Sequence, residues 1–269
     1  MRSQEIFDLL TKEYTLKLAI SPEDFEAVKT IRKEVFSQKY SMSPDYLEKM
    51  GYLFNEDDKQ SFIYFLLHNE TNTYVGTVRI FFLNQRTPIT QLPMQKDGNV
   101  KDIDQLMNTL PVVELSRGAI IQNLPPHHTY SSLQLRVFIR YQLMIATRIN
   151  FLLYSYKTIF SIMEPSLHRF LRSQKIYFEQ IGKPVEYYGT RTPYAIDRKK
   201  LIQDTEINME ELTRHYLKEL CKDPKPFWQF IDANPYLERS DIQLDRICQL
   251  FKKYGDDVDL SLLLGEEKS

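Results

Sequence analysis

The chain has 269 residues, of which 42% are hydrophobic and 26% charged, and its formal net charge is −1. This composition is typical of globular proteins and excludes a global positive charge of the kind that attracts nucleic acid. No run of about 18 apolar residues occurs, so we expect no membrane-spanning helix, while peripheral membrane contact stays compatible with the sequence. Cys221 and Cys248 lack disulfide or zinc spacing, so we expect free thiols, no metal site and a cytoplasmic location.

The predicted elements alternate between strands and helices. Helix starts are marked by Ser21-Pro22 and Ser43-Pro44, where a capping serine precedes a proline. Strands are predicted at 15–20, 61–67, 74–83, 112–121, 157–163, 176–180 and 184–190, and helices at 22–36, 46–50, 102–107, 132–151 and 165–174. This order predicts an α/β fold with a mixed, mostly antiparallel central sheet, helices on both faces and one βαβ crossover.

The C-terminal quarter has a different pattern. We predict a main domain over residues 1–204 and a helical extension over 205–269. Capping boxes at Asn208-x-x-Glu211 and Ser240-x-x-Gln243 predict helices over about 209–221 and 241–254, linked by DPKPFW (223–228). The apolar stripes of these helices are compatible with a cap over a cleft, docking on the main domain, or a homodimer.

Two charged residues interrupt the apolar segment PVVELSRGAII (111–121). Glu114 and Arg117 each need a partner from another element, because strict alternation places them on opposite faces of a strand. Arg79 and Arg32 are likewise surrounded by apolar residues. One explanation is a buried ion-pair network that sets the strand register. The other is a polar cleft where a carboxylate base works beside cationic anchors for an anionic substrate.

Four segments in matching order carry a family resemblance. They are IRKEVFSQKY (31–40), VGTVRIF (75–81), ELSRGAI (114–120) and MEPSLHRFLRSQKIYFEQIGKPVEYYGTRTPY (163–194). Over residues 15–200 the chain resembles the acyl-homoserine-lactone synthase and N-acyl amino acid synthase group of the Gcn5-related N-acetyltransferase (GNAT) superfamily. The pattern is most similar to acyltransferases associated with the PEP-CTERM/exosortase system.

The resemblance implies a GNAT fold with a V-shaped cleft between central strands. It also implies an acyl thioester on acyl carrier protein or coenzyme A as donor, no permanently bound cofactor, and an amine acceptor. The family's Arg-x-x-x-Phe pattern corresponds to Arg32 and Phe36, and its Gly-Thr-Val-Arg strand supplies Arg79. Its remaining matched site residues are Asp58, Glu114, Ser116 and Arg117.

Two positions depart from the autoinducer-synthase pattern. Asn55 replaces the first acid of an Asp-x-x-Asp pair, and Met42 replaces a tryptophan. In that family these positions help to shape the S-adenosylmethionine side of the cleft, so the departures favour another acceptor, such as an amino acid.

The loop QNLPPHHTYSSLQLRVF (122–138) lacks the glycines of the superfamily's acetyl-CoA signature. Without those glycines the backbone is kept further from a pyrophosphate. Ser131 and Ser132, at the start of the next helix, are predicted to offer amides to the phosphate of a phosphopantetheine. We therefore favour acyl carrier protein over coenzyme A as the donor and partner. Basic helical positions such as Arg136 and Arg140 suit an acidic carrier, although a solvated helix face is the simpler explanation.

The sequence thus predicts an N-acyltransferase that joins a fatty acyl group to a small amine, with an amino acid as the favoured acceptor. Glu114 is the expected general base, with a pKa raised by desolvation. Arg79 and Arg117 are expected either to bind an acceptor carboxylate or to hold Glu114 and Asp58 in place. The alternatives are an acyl-homoserine-lactone synthase and a degenerate GNAT-fold protein that binds without turnover.

Overall fold

The computed structural model describes residues 3–87, 91–96, 98, 100, 103, 110–187, 189–201, 209–258 and 260–264. Within these residues the helices are α1 (Ser3–Lys12), α2 (Pro22–Tyr40), α3 (Pro44–Lys49), α4 (Glu56–Lys59), α5 (Pro93–Lys96), α6 (Ser132–Leu153), α7 (Pro165–Ser173), α8 (Arg198–Leu201), α9 (Met209–Lys222), α10 (Lys225–Ala233), α11 (Leu244–Tyr254) and α12 (Ser261–Leu264). The strands are β1 (Tyr14–Leu18), β2 (Ser61–His68), β3 (Thr73–Leu83), β4 (Val112–Ile120), β5 (Thr158–Met163), β6 (Glu179–Gln180), β7 (Val185–Glu186) and β8 (Thr190–Asp197).

The strands form one sheet in the order β1-β2-β3-β4-β5-β8-β6, with β7 added beside β8. Every pair in this sheet is antiparallel except β4 and β5, which run parallel and are joined through α6. The predicted α/β class, with a mixed, mostly antiparallel sheet and one βαβ crossover, is confirmed.

The two faces of the sheet are covered differently. On one face Tyr64 of β2 accepts a hydrogen bond from Asn150 of α6, and Phe62 packs on Phe230 of α10 at 4.5 Å between ring centroids. On the other face, α2 lies across β3 and β4. A second apolar cluster on the α2 side includes Phe81 and Met94. The charged residues of the central strands are therefore enclosed rather than solvated.

The local signals of the sequence explain where α2 begins and ends. Ser21 is the N-cap and forms a capping box with Asp24, while Pro22 takes the first helical turn. The helix continues past the predicted end at 36 to Tyr40, where Ser41 adopts a left-handed conformation with φ 52°. This extension brings the last turn of α2 to the edge of a cavity beside β4 and β5.

Several predicted boundaries are wrong. The strand predictions at 176–180 and 184–190 shrink to the short β6 and β7, and the longer β8 lies almost wholly outside the predicted strands and contains Pro193, a residue unusual in a strand interior. The proposed capping box of Ser240 and Gln243 does not form. Gln243 caps α11 without a side-chain hydrogen bond, and Ser240 donates to Glu238 instead. The segment predicted as the linker DPKPFW contains the start of α10.

Other predictions fall on residues that are not described. Asn208 of the first proposed capping box lies outside the described residues, as does the helical turn predicted at 102–107 apart from residue 103.

The described part of the C-terminal extension packs on the main body. Leu212 and Leu217 of α9 and Ile247 of α11 are buried, and α9 contacts α6 through a hydrogen bond from Gln142 to the Tyr216 hydroxyl.

Candidate active site

The parallel strands β4 and β5 pair over only three residues and then separate. Their register runs from Val112 opposite Thr158 to Glu114 opposite Phe160. Beyond this point β4 continues to Ile120 and β5 to Met163, with Ser161 Oγ donating to Leu115 O at 2.9 Å. The V-shaped separation expected from the sequence is therefore present in the sheet, directly beyond Glu114.

A cavity of about 400 Å³ occupies this separation. Its size falls within the range of small-molecule sites. Its described lining comes from α2, α3, β3, α5, β4, α6, β5, α7, β8, α8 and the segments between them, and includes seven lysine or arginine side chains but only two carboxylates, Glu114 and Glu164. A cavity with this charge balance favours an anionic ligand.

A β-bulge in β4 overturns the expectation that Glu114 and Arg117 face opposite ways. Arg79 pairs with Ser116 and Thr77 with Ala119, so β4 carries one extra residue at this point. Arg117 absorbs it with a positive φ of 51°. Because a bulge turns successive side chains toward the same side, Arg117 joins the charged residues on the α2 face. Simple alternation therefore predicted the wrong face for Arg117.

Asp58 is the centre of this charged cluster. Its side chain is fully buried, and Oδ1 accepts from Arg32 Nη1 at 3.0 Å. Oδ2 accepts from Arg117 Nη1 and from the Asn55 amide at 2.9 Å, while Arg79 Nη1 lies 3.7 Å from Oδ1. One carboxylate thus holds three guanidinium groups that come from α2, β3 and β4.

Asn55 has a definite structural role in this cluster. It is the N-cap of α4, where its side chain accepts from the Asp58 amide and its own amide donates to the Asp58 carboxylate. Asparagine is a favoured N-cap residue, so the departure from an acid at this position is compatible with an intact local structure.

The neighbouring charges determine the protonation states of Asp58 and Arg117. Burial alone would raise the pKa of Asp58, but Arg32, Arg79 and Arg117, together with the Asn55 amide, lower it below its ordinary value. Burial and the neighbouring charge of Arg79 lower the pKa of Arg117 to about 9, although Asp58 opposes this shift. Both groups are therefore ionised at neutral pH.

Glu114 is 1% exposed and lines the cavity. Its Oε2 accepts from the Met94 amide at 2.7 Å, and its Oε1 lies 4.0 Å from Arg79 Nη2. Arg79 is itself oriented by Ser116, whose Oγ accepts from Arg79 Nε at 3.0 Å. The amide and the guanidinium both hold the carboxylate in place at the cavity.

Two arginines also attach the wall of the cavity to the cluster. Arg32 Nη1 donates to Leu53 O at 2.8 Å, and Arg117 Nη2 donates to Gly51 O at 3.0 Å. These carbonyls belong to the segment between α3 and α4, and Tyr52 of this segment and Leu47 of α3 line the cavity. The cluster therefore fixes the shape of the cavity as well as its charge.

The structure brings together most of the residues chosen from the sequence. Arg32, Asp58, Arg79, Glu114, Ser116 and Arg117 form one connected cluster, and Phe36 lines the same cavity. Ser131 and Ser132 do not line the cavity. The Ser131 amide donates to Gln134 Oε1 at 2.9 Å, so it is already used in a capping box.

Sequence reasoning missed three charged residues of the cavity: Lys39, Glu164 and Arg191. They come from the end of α2, the end of β5 and the start of β8. A signal was present for one of them, because Glu164 precedes Pro165 at a helix start, where serine, threonine, aspartate or asparagine is the usual choice.

Within the described residues, no group of three or more His, Cys, Asp or Glu is arranged to hold a metal ion. None of the described helices is long and apolar enough to cross a membrane.

No family model matches the chain, and no curated protein matches it. Solved structures similar to it include FeeM, an N-acyl amino acid synthase from uncultured soil microbes (13% identity, TM-score 0.47, covering 76% of this chain and 96% of that one). They also include the C-terminal condensation domain of Ebony in complex with beta-alanyl-dopamine (12%, 0.43, 69% and 99%). A third is spermidine N-acetyltransferase from Vibrio cholerae in complex with CoA and spermine (14%, 0.38, 71% and 99%). The link to the PEP-CTERM/exosortase system stays a prediction from the sequence motifs.

Proposed function

We propose that this protein is an N-acyltransferase of the GNAT type, which transfers a fatty acyl group from a carrier-protein thioester to the amine of a small acceptor, an amino acid in our proposal. The observation that carries the proposal is the position of Glu114. A buried carboxylate lies where two parallel strands separate, and it lines a cation-rich cavity.

The proposed reaction uses Glu114 as a general base. The acceptor ammonium gives up a proton to Glu114, directly or through water, and its nitrogen then attacks the thioester carbonyl. Backbone amides of the separated strands are the donors proposed for the oxyanion of the tetrahedral intermediate. Collapse of the intermediate breaks the C–S bond, and the leaving thiolate takes up the second proton lost by the acceptor nitrogen, directly or through water. Asp58 and its arginines position Arg79, which fixes the Glu114 side chain.

The preference for a carrier-protein donor is supported by the loop before α6. The amides of Thr129 and Tyr130 donate to His127 Nδ1, at 3.0 and 3.1 Å. The Ser131 amide donates to Gln134, as described above, and two prolines in the loop have no N–H. Amides that are already bonded are poor ligands for the pyrophosphate of coenzyme A. A phosphopantetheine without adenosine pyrophosphate makes no such demand.

The wall formed by α6 and α7 supports a fatty acyl chain as the transferred group. Leu143 and Met144 of α6 and Leu167, Phe170 and Leu171 of α7 line the cavity. The guanidinium of Arg140 stacks on Phe170 of this wall at 5.1 Å, so one cavity offers apolar and cationic contacts side by side to an acyl chain and a charged acceptor.

A direct assay tests the proposal. Purified protein is incubated with medium- and long-chain acyl groups on acyl carrier protein or on coenzyme A, together with the standard amino acids and S-adenosylmethionine, and the products are identified by mass spectrometry. We expect N-acyl amino acids, with the carrier-protein thioester as the better donor. Glu114→Gln should lower kcat by about 10²- to 10⁴-fold, whereas the exposed Glu56→Gln should not.

The other outcomes separate the alternatives. A homoserine lactone product from S-adenosylmethionine would indicate an autoinducer synthase. Absence of turnover of every thioester by the wild-type protein would contradict an enzyme and favour a binding protein. Full activity of Glu114→Gln would refute only the assignment of the base.

A further inference from the structure

A second charged group lines the cavity, apart from the Asp58 cluster. Glu164 Oε1 accepts from Lys39 Nζ at 2.5 Å and from Arg191 Nη2 at 3.3 Å. All three residues line the cavity. They come from α2, from the junction of β5 and α7, and from β8, so the group exists only in the folded chain.

Glu164 occupies a helix N-cap without acting as a cap. It is the N-cap residue of α7, yet its side chain makes no capping hydrogen bond. The carboxylate bonds instead to the two cations of the cavity. Glutamate is not a favoured N-cap residue, so helix stability does not account for this residue, whereas orienting Lys39 and Arg191 does.

Arg191 is held in place by aromatic rings. Its guanidinium carbon lies 5.7 Å from the ring centroid of Tyr40 and 5.7 Å from that of Tyr187, and Nη2 also donates to the Tyr40 hydroxyl. The Nε atom is buried and has no hydrogen-bond partner. A guanidinium that is fixed by stacking and retains donor capacity is suited to binding a carboxylate.

The arginines of the Asp58 cluster are less suited to that task. Arg117 donates to Asp58 and to Gly51 O. Arg79 donates to Ser116, and although its Nη1 has no hydrogen-bond partner, this atom lies 3.7 Å from the buried carboxylate of Asp58. These contacts stabilise the fold. In contrast, Lys39 is 46% exposed and carries three donors.

We propose that Arg191 and Lys39, oriented by Glu164, bind the carboxylate of the acceptor. The identification of the bound molecule as the acceptor rests on the proposed function, whereas the carboxylate-binding subsite itself does not. Arg191, Tyr187 and Glu114 all line the one cavity, and the Tyr187 ring faces Arg191. An amino acid bound in this way has its carboxylate at Arg191 and its amine directed toward Glu114. Glu164 is a positioning residue in this arrangement.

Binding can be measured without turnover. The wild-type protein and Arg191→Gln are dialysed to equilibrium against a mixture of the standard amino acids and, separately, against their amides, and the retained molecules are identified by mass spectrometry. We expect the wild type to retain one or more amino acids and none of the matching amides. Arg191→Gln should lose this retention, Arg191→Lys should keep part of it, and the exposed Arg172→Gln of α7 should behave as the wild type. Equal retention by wild type and Arg191→Gln, or none by either, would overturn the subsite.

Steady-state kinetics identifies which of the two substrates carries the anionic group that Arg191 binds. Arg191→Gln should raise the KM for the amino acid about tenfold or more and leave the KM for the acyl donor unchanged. Glu164→Gln should raise the acceptor KM at nearly unchanged kcat, with rescue by Glu164→Asp, whereas a loss of folding would lower kcat as well. An increase confined to the donor KM would place the anion on the phosphodiester of the carrier and overturn the assignment to the acceptor.

The two proposals fail in distinguishable ways. If the wild type retains amino acids through Arg191 but turns over no thioester, the proposed function fails and the subsite stands. If the wild type turns over thioesters and Arg191→Gln has an unchanged acceptor KM, the subsite is wrong and the function stands.

Discussion

Arg117 reaches the buried carboxylate of Asp58 from a backbone conformation that non-glycine residues rarely adopt. Its φ is 51°, and its guanidinium donates to Asp58 Oδ2. A strained residue of this kind costs on the order of 1–3 kcal/mol and persists where surrounding contacts fix it. Here the contact links the bulge of β4 to the N-terminal end of α4. The ion pair and the cavity wall therefore form together.

The Asp58–Arg117 pair should be energetically coupled. We expect Asp58→Asn and Arg117→Gln each to lower the free energy of unfolding by about 3–5 kcal/mol, because each leaves charge buried without its partner. A double-mutant cycle measured by urea unfolding should give a coupling of about 1–3 kcal/mol. The exposed pair Lys59–Glu56, at 2.8 Å, serves as the control and should give less than about 1 kcal/mol. Equal coupling in the two pairs would contradict this account.

Stability should fall in acid because of Asp58. The arginines and the Asn55 amide hold its pKa below the ordinary value despite burial, so the unfolded chain takes up this proton first as the pH falls. The stabilisation is complete above the unfolded pKa of about 4 and is lost as the pH drops through the lower, folded pKa. Urea unfolding between pH 7 and pH 3 should show this loss in the wild type. Asp58→Asn should have a smaller slope over the same range, and an unchanged slope would refute the role of Asp58.

Two glycines on adjacent strands should respond differently to a side chain. A Cβ at Gly118 would meet nothing within 4 Å, whereas one at Gly76 would lie 3.2 Å from Ala119 O and 3.3 Å from Ile139 Cγ2. Gly118→Ala should therefore leave the Tm nearly unchanged, and Gly76→Ala should lower it. Because Gly118 lines the cavity, Gly118→Val should raise the KM for the acyl donor in a folded protein. Gly118 would have no contact with the donor if Gly118→Val kept the wild-type KM.

The C-terminal extension should contribute to the stability of the whole chain. Leu217 of α9 is fully buried, while Leu220 on the same helix is only partly buried. We expect Leu217→Ala to lower the free energy of unfolding by about 2–5 kcal/mol and Leu220→Ala to lower it less. Neither residue lines the cavity, so the acyltransfer rate of the folded variants should stay at the wild-type value. A separate, earlier unfolding transition in Leu217→Ala would instead indicate an independent unit.

Local sequence patterns were reliable at the start of α2 but not for the capping box proposed at Ser240 and Gln243, which does not form. The start of α2 followed from Ser21 and Pro22, since a cap needs only its own helix. The strands β2, β3 and β4 followed from β-branched and aromatic runs. The predictions failed where a distant element decides. Pro193 argues against a strand in isolation, yet β8 forms because β5 and β6 lie on either side of it.

The sequence by itself determined the α/β class and showed that Arg32, Arg79, Glu114 and Arg117 are charged residues within apolar surroundings. Their need for partners follows from the free energy of burying charge, which local sequence reveals. Only the tertiary structure decided how they pair, because the bulge of β4 depends on its register with β3. The same holds for Lys39, Glu164 and Arg191, which are ordinary surface residues in their own segments. They become one group only when α2, β5 and β8 meet at the cavity, since contacts between distant segments depend on the packing of the whole sheet.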